Sequence, residues 1–472
     1  MHFGFNTAVK GLLASQRSLY ITNHNISNVN TRGYTRQEGA QRATTPYALP
    51  GIGFLGTGTE IYDVSRIRDS YLDFKYWNEN APMGEWEAKM NHLSEIEKLF
   101  GEPSDTSFRK YLDDFFKALT NMSTNPSDSS YREPVRENAL AFTKHINEVA
   151  VRLNELRRET KVSMENNIER INSIANQIAS LNRQIYSYEI SGYKANDLRD
   201  RRDLLVEELS KVVNVSVHES DDGKFRVSIS GVSLVDHINV SEVKLKTIPN
   251  SDEIRIEWGN GSLVNLKSGE LKGLLDLYSG DGENNTYRGI PYYQNRLNEF
   301  AEGFANKFNK KHNEGYGLNG NTNIDFFKFD AEKPAATITL SDEILEDLKN
   351  IAAGKAPGDA EDNRNLLELI GLREDRKFFS EGTSQGTPDD FIKSIVSNLA
   401  VDSMQSERMY NSQNMMLKNI QTKRDSVSGV SYDEEMANMV KFQHAYMASA
   451  RMINTLDIIM DVTINRLGLV GR

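Results

Sequence analysis

Few residues of this chain carry types and spacing that could do chemistry. Gly51-Ile52-Gly53-Phe54-Leu55-Gly56 has the glycine pattern of a dinucleotide fingerprint. That pattern works only where a strand precedes it and a helix opens after it, so that a pyrophosphate meets the helix N-terminus. Here Pro46 and Pro50 precede the run and Thr57-Gly58-Thr59 follow it, which predicts a loop. Asn319, Asn321, Asn323 and Asp325 alternate like the ligands of a calcium loop. The first three have no carboxylate, however, and Ile324 stands where such a loop needs glycine. The carboxylate pairs Asp221-Asp222 and Asp389-Asp390 fall at a turn and a helix start, where capping accounts for them. The eight histidines show no pair at ligand spacing, and there is neither a Walker loop nor a His-Glu-x-x-His. With no cysteine, disulfides, zinc–thiolate sites and cysteine nucleophiles are excluded. No enzyme class, metal or cofactor is expected.

What remains is the chemistry of helix against helix. From Ser428-Gly429-Val430-Ser431 a helical pattern opens on Asp433-Glu434-Glu435, acidic residues that suit the positive end of a helix dipole. Apolar side chains then recur at Met439, Tyr446, Ala450, Ile453, Leu456, Met460, Ile464 and Leu467, mostly at steps of three and four, which draws one stripe. The opposite end of the chain carries a matching stripe. Val9, Leu12, Gln16, Leu19, Asn23 and Ile26 keep the spacing of a coiled-coil seam, widened by Leu13 and Tyr20. The first and last residues are therefore expected to pair. Periodicity leaves two versions open: an ordinary antiparallel helix pair, or two helices built to be buried by neighbouring subunits.

The totals limit the partners. At 472 residues the chain has room for two to four domains. Only 38% of residues are apolar and 26% are charged, which suits thin bundles with much surface. The net charge of −11 is mixed along the chain without a basic block, so nucleic acid is not an expected partner. No apolar run approaches the roughly 20 residues that cross a bilayer. The start, Met-His-Phe-Gly-Phe-Asn, lacks the pattern of a cleaved secretion signal.

Taken in order, residues 28–59 read as an extended arm or loop, Val64 to Phe100 as a charged helix, and Ser107 to Met122 as a shorter one. Phe142, Ile146, Val149, Leu153, Leu156, Thr160, Ser163 and Asn167 then alternate steps of four and three. After one extra residue the seam resumes at Ile171 and continues to Tyr188, an insertion that changes the local supercoil. Such a helix would be roughly 70 Å long. By itself it would also suit a cytoplasmic coiled-coil rod. Asn196 to Val213 is helical. From Val215 the period changes to two, with turns at Asp221-Asp222-Gly223 and Gly259-Asn260-Gly261 and a last strand at Leu263 to Leu266. Leu271 to Tyr278 and Tyr292 to His312 are helices. Phe326 to Phe329 and Thr337 to Leu340 look like strands, Ser341 to Ala353 and Asn363 to Leu372 look helical, and Pro388 to Val427 runs back as a helix.

The expected fold class is mainly α with β inserts. It comprises paired N- and C-terminal helices in a coiled-coil-like arrangement, an elongated helical bundle, a small β-rich domain and a second mixed α/β insert. The division is 1–35 plus 430–472 for the terminal assembly domain and 36–213 plus 268–320 plus 381–429 for the bundle. Residues 214–267 form the β-rich insert and 321–380 the mixed one.

Three motifs carry a resemblance. The first includes Gly11-Leu12, Asn25, Asn28, Asn30, Gly33-Tyr34-Thr35-Arg36-Gln37; the second is Arg66-Ile67-Arg68-Asp69-Ser70-Tyr71-Leu72. The third is Ser428-Gly429-Val430-Ser431 with Asp433-Glu434-Glu435-Met436-Ala437-Asn438, Phe442-Gln443 and Ala448-Ser449-Ala450-Arg451. Together they resemble the bacterial flagellar rod, hook and hook-associated axial proteins, with Arg32 where that family commonly has proline. The long 142–188 helix and Asp433 to Asn438 favour its hook–filament junction members over hook or rod proteins. The resemblance implies a structural chain that self-assembles extracellularly in the flagellum after type III export. Its implied partners are copies of itself, the hook protein below, the next junction protein above and a cytoplasmic export chaperone on the C-terminal helix. The rival readings are an extracellular binding protein acting through exposed aromatic patches on 214–267 or 321–380, and a soluble enzyme with helical ends.

Overall fold

The computed structural model describes residues 2–51, 53–101, 108–249, 253–379 and 386–466; Ile52 and Leu467, singled out above, lie outside the described residues. α1 (His2–Ser27) is followed by four short strands, β1 (Gln37–Ala43), β2 (Tyr47–Leu49), β3 (Gly53–Leu55) and β4 (Thr59–Arg66). β1 pairs antiparallel with β4, and β2 with β3. The residues expected as an arm are therefore a β ribbon. Gly51 and Gly53 adopt φ of 81° and 104° beside the β2–β3 turn, conformations open to glycine, and no helix follows.

α2 (Ser70–Phe100) begins six residues later than the Val64 expected. Val64 pairs with Gly39 in the ribbon, and Asp69, extended at φ −106°, caps the helix by accepting from the Tyr71 and Leu72 amides. α3 (Phe108–Ser123) leads to α4 (Arg132–Glu189), the longest helix, whose 58 residues span about 87 Å. α5 (Asn196–Val212) turns back along it. Next comes a four-stranded antiparallel sheet of β5 (Ser216–Glu219), β6 (Phe225–Ile229), β7 (Val232–Asp236) and β8 (Asn239–Val240), then the hairpin β9 (Val243–Thr247) and β10 (Ile254–Trp258). The strand expected at Leu263 to Leu266 reduces to one bridge between Leu263 and Glu257.

α6 (Glu270–Ser279) and α7 (Ile290–His312) return to the bundle. The second insert holds β11 (Phe327–Lys328), α8 (Pro334–Thr337), β12 (Thr339–Leu340), α9 (Asp342–Glu346) and α10 (Arg364–Gly371). The helix expected over 341–353 stops at Glu346 because Asp347 turns extended, at φ −140°, to cap a short 3-10 turn. α11 (Pro388–Ser428) starts on a capping box made by Thr387 and Asp390, and α12 (Tyr432–Asp461) completes the fold.

α4 is the spine shared by two cores. Its first half, from Val135 to Leu156, joins α3, α7 and the second insert around a cluster of phenylalanines. There Phe304 lies 5.3 Å from Phe142 and 5.8 Å from Phe327, ring centre to ring centre. Its second half, from Met164 to Ile178, packs on α5, α6 and the β strands. The polar stretch in the middle of the seam marks the boundary between the cores. Thr160 turns its hydroxyl onto the Leu156 carbonyl at 2.8 Å, and Asn167 donates to Glu270 at the start of α6 at 3.1 Å. Met164 rather than Ser163 fills the buried position, and Tyr188, expected on the seam, is exposed.

Close packing of α2 on α5 depends on Gly84, where a Cβ would sit 2.2 Å from the Lys211 carbonyl oxygen. Backbone cannot yield that distance cheaply, so Gly84→Ala is expected to destabilise by about 1–3 kcal/mol. Gly371, whose added Cβ meets nothing within 4 Å, supplies the control, with Gly371→Ala within about 0.5 kcal/mol of wild type. Urea unfolding of both variants measures the difference; equal midpoints would refute the close contact.

Candidate functional site: the terminal helix pair and its joint

α1 and α12 lie antiparallel. Gly4 faces Leu456, Gly11 approaches the Ser449 hydroxyl and Asn25 bonds Glu435. The closing seam of α1 has the coiled-coil spacing read from sequence, displaced by one residue. Gly4, Ala8, Gly11, Ser15, Ser18, Thr22 and Asn25 alternate steps of four and three, and from Ala8 onward those other than Gly11 are buried. The expected seam, Val9, Leu12, Gln16, Leu19, Asn23 and Ile26, flanks it. Gln16 and Asn23 are exposed and the other four are half-buried. Small side chains let the two backbones approach, so the larger ones are pushed to the flank. On α12, Met439, Ala450, Ile453, Leu456 and Met460 are half-buried, and Tyr446 is exposed.

The base of the pair is pinned by the motif residues from both chain ends. Asn25, 1% exposed, uses its whole side chain: its Nδ2 donates to the Gln37 carbonyl at 2.9 Å and to Glu435 Oε2 at 3.2 Å. Its Oδ1 accepts from the Tyr34 hydroxyl at 2.8 Å and the Gln37 amide at 3.0 Å. Arg36 donates to Glu435 Oε1 at 3.0 Å and to Glu434 Oε2 at 3.1 Å, while its amide reaches the Ser428 carbonyl. Asn438 donates to Glu435 from 3.5 Å. Gly33 takes φ 81° where the chain passes Leu204. Asn28 holds the end of α1 through the His24 carbonyl at 3.0 Å. Asn30 and Met436 are exposed.

A second layer joins this base to the bundle through α5, and sequence reasoning missed it. Gln37 Nε2 donates to Asp197 at 2.7 Å; the Thr35 amide and hydroxyl both donate to Asp200, at 2.9 and 2.5 Å. Arg66 bridges Asp200 at 2.6 Å and Asp203 at 2.8 Å, and Arg68 bridges Asp203 at 2.8 Å and Asp73 at 2.5 Å. Arg424 on α11 closes the ring on Asp73 at 2.9 Å and on Glu207. The available signal was the spacing of Asp197, Asp200, Asp203 and Glu207, which places four carboxylates on one helical face.

These groups surround a cavity of about 260 Å³ lined in part by Arg32, Tyr34, Asp73 and Arg424. Burial pushes the Tyr34 phenol up, helped by the nearby Asp197, Asp200 and Glu435 carboxylates, so it stays a hydrogen-bond donor. Asp200 and Asp203 are moved in opposite directions. Burial raises Asp200 against the opposing pull of Arg66 and Thr35. Burial would raise Asp203 as well, but Arg68, Arg66 and Arg202 outweigh it and hold that carboxyl below its ordinary range. What this arrangement can do is mechanical: it fixes the direction in which the terminal pair leaves the bundle.

The rest of the pair is open, and apolar side chains stand exposed among its polar ones. Val440, Met447, Met452, Ile458, Ile459 and Ile464 are exposed on or just beyond α12, as are Leu13 and Tyr20 on α1 and Tyr47 and Phe54 on the ribbon. The chain exposes 25409 Å² in total, where a compact monomer of 53.4 kDa exposes about 18,000 Å². Large apolar side chains left open along one element mark a contact face.

Elsewhere, Asn319 and Asn321 both donate to Asn350 Oδ1 rather than facing a common centre, and Asn313 donates to Asp325. Among the described residues no group of three or more His, Asp or Glu converges as a metal site, and no helix is long and apolar enough to cross a membrane. No Phe, Tyr or Trp side chain stands exposed among the described residues of 214–267 or 321–380.

Residues 93–327 match the family model described as the flagellar hook-associated protein FlgK helical domain. Residues 421–467 match that of the flagellar basal body rod FlgEFG protein C-terminal. Flagellar hook-associated protein 1 of Bacillus subtilis (strain 168) is 28% identical over 503 residues, covering 99% of both chains. The protein of the same name from Escherichia coli (strain K12) is 24% identical, covering 98% of this chain and 99% of its own. Among solved structures, the flagellar hook junction protein FlgK from Burkholderia pseudomallei aligns with a TM-score of 0.65 at 15% identity, over 75% of this chain and 100% of that one. That last likeness is one of fold.

Proposed function

The chain belongs to the bacterial flagellar hook-associated protein family, and from that membership we propose how it serves as a structural component of the hook–filament junction. Subunits join through α1 and α12. One observation carries this reading: the two ends of the chain form a pinned antiparallel pair that leaves large apolar side chains, Val440, Met447, Met452 and Ile458 among them, uncovered. Contacts from unlike faces of like subunits propagate as an open helix, which suits an axial tube. The terminal residues 1–35 and 430–472 form its inner wall, the bundle the next shell, and 214–267 and 321–380 point outward. Hook protein binds below and the next junction protein above. Before export, a cytoplasmic chaperone covers the amphipathic α12 in a groove. The role is structural rather than catalytic, and extracellular.

Amide exchange on the free subunit and on the subunit seated on hook fragments tests this. Protection is expected to rise in 2–27 and 432–461 on seating, with 132–189 and 290–312 unchanged. A rise confined to 214–267 or 321–380 would instead identify the inserts as the contact surface and sink the proposal.

A further inference from the structure

Nine of the fourteen methionines lie between Met404 and Met460, on α11 and on α12. Met404, Met415, Met447 and Met452 are 53%, 66%, 43% and 56% exposed, whereas Met122 and Met164 are fully buried. The chain has no cysteine, so its sulfur chemistry is that of thioethers. On α12, Met436, Val440, Met447 and Ile458 recur at multiples of the helical turn and line one side of the open face, while Met452 and Ile459 line another. Methionine is flexible and polarizable, well suited to a face that must repack against more than one surface, but that choice leaves the sulfur open to oxidants.

We propose that Met447 and Met452 form an oxidation site that governs assembly: in the free subunit they take oxygen from a peroxide, and the sulfoxides bar α12 from its neighbour. The sulfur donates an electron pair to one peroxide oxygen and the O–O bond breaks. The sulfur becomes a sulfoxide and the other oxygen leaves as water, so the thioether is oxidised and the peroxide reduced. The product replaces an apolar side chain with a polar one on a surface that gains its affinity from burial. Seated subunits bury the same sulfurs and resist. This inference rests on the reading of α12 as a subunit contact.

The test treats free full-length subunits with hydrogen peroxide, maps sulfoxides by mass spectrometry and measures seating on hook fragments. Sulfoxide is expected at Met447 and Met452 but not at Met122 or Met164, and seating is expected to fall roughly tenfold. The double variant Met447→Leu/Met452→Leu keeps the apolar volume. It should seat like wild type before treatment and retain that seating afterwards. Oxidised wild type that seats as well as untreated protein overturns the proposal, as does a double variant that loses seating equally after treatment. Untreated wild type that fails to seat overturns the junction reading itself, and this inference with it.

Discussion

Asn25→Asp is expected to release the terminal pair from its base, at a local cost of about 3–5 kcal/mol. The substitution is nearly isosteric and keeps the acceptor positions used by Tyr34 and the Gln37 amide. It removes both donors, those to the Gln37 carbonyl and to Glu435. It also places a second carboxylate 3.2 Å from Glu435 at a site 1% exposed. Arg36 already bonds that carboxylate and Glu434, so neutralising a further charge would require partners that are not there. Asn25→Ala omits the repulsion and should cost less, about 2–3 kcal/mol, from unpaired polar groups. The expected result is fast amide exchange in 2–27 and 432–461 of the Asp variant at neutral pH, with normal protection in α4. Below about pH 5 the introduced carboxylate takes up a proton and protection partly returns; the Ala variant shows no such return. Wild-type exchange in the Asp variant at pH 7 would mean that the pair is held by its apolar seam and not by its base.

The second large effect concerns pH and lies far from the terminal pair. His312 is 1% exposed at the end of α7, and burial pulls its imidazole down from 6.5 to about 4, with Asp325 and the Ile324 contact opposing and Arg132 assisting. Its geometry requires the neutral ring: Nδ1 donates to the Ile324 carbonyl at 2.7 Å, and Nε2 accepts from the Ala352 amide at 2.9 Å. A proton on Nε2 would displace that amide. Because the folded value is lowered, the unfolded chain binds the proton first. The contribution is therefore complete above about pH 6.5 and is lost as the pH falls from there towards 4. The loss amounts to about 3 kcal/mol. Urea unfolding of wild type and His312→Gln should differ most near pH 7, and the gap should close by pH 4. A gap independent of pH would refute the assignment. The segment released by acid is the second insert, which meets α7 around Phe326 and Phe327.

Helix and strand periods were legible because they depend on spacing alone. The long seam from Phe142 to Ile185 and the β strands from Ser216 could each be read from the alternation of side chains. The motif residues Tyr34, Arg36, Gln37, Glu434 and Glu435 were legible as a set of residue types. Two boundaries were misread for local reasons. Asp69 caps α2 where the charged helical pattern was read back to Val64, and Asp347 ends a helix that was read on to Ala353.

Tertiary structure decided which of two adjacent stripes on α1 closes on α12. Sequence reading ranks faces by apolar bulk and so chose Val9, Leu12 and Leu19; the fold ranks them by how near two backbones can come, and chose Gly4, Gly11 and Ser18. The joint, likewise, depends on carboxylates of α5 meeting arginines more than 130 residues away, from Arg66 to Asp200 and from Arg424 to Glu207. Spacing along a chain fixes which side chains share a face. Only the packed backbone fixes what that face meets, because charge pairing and close approach act through distance in space rather than through position in sequence.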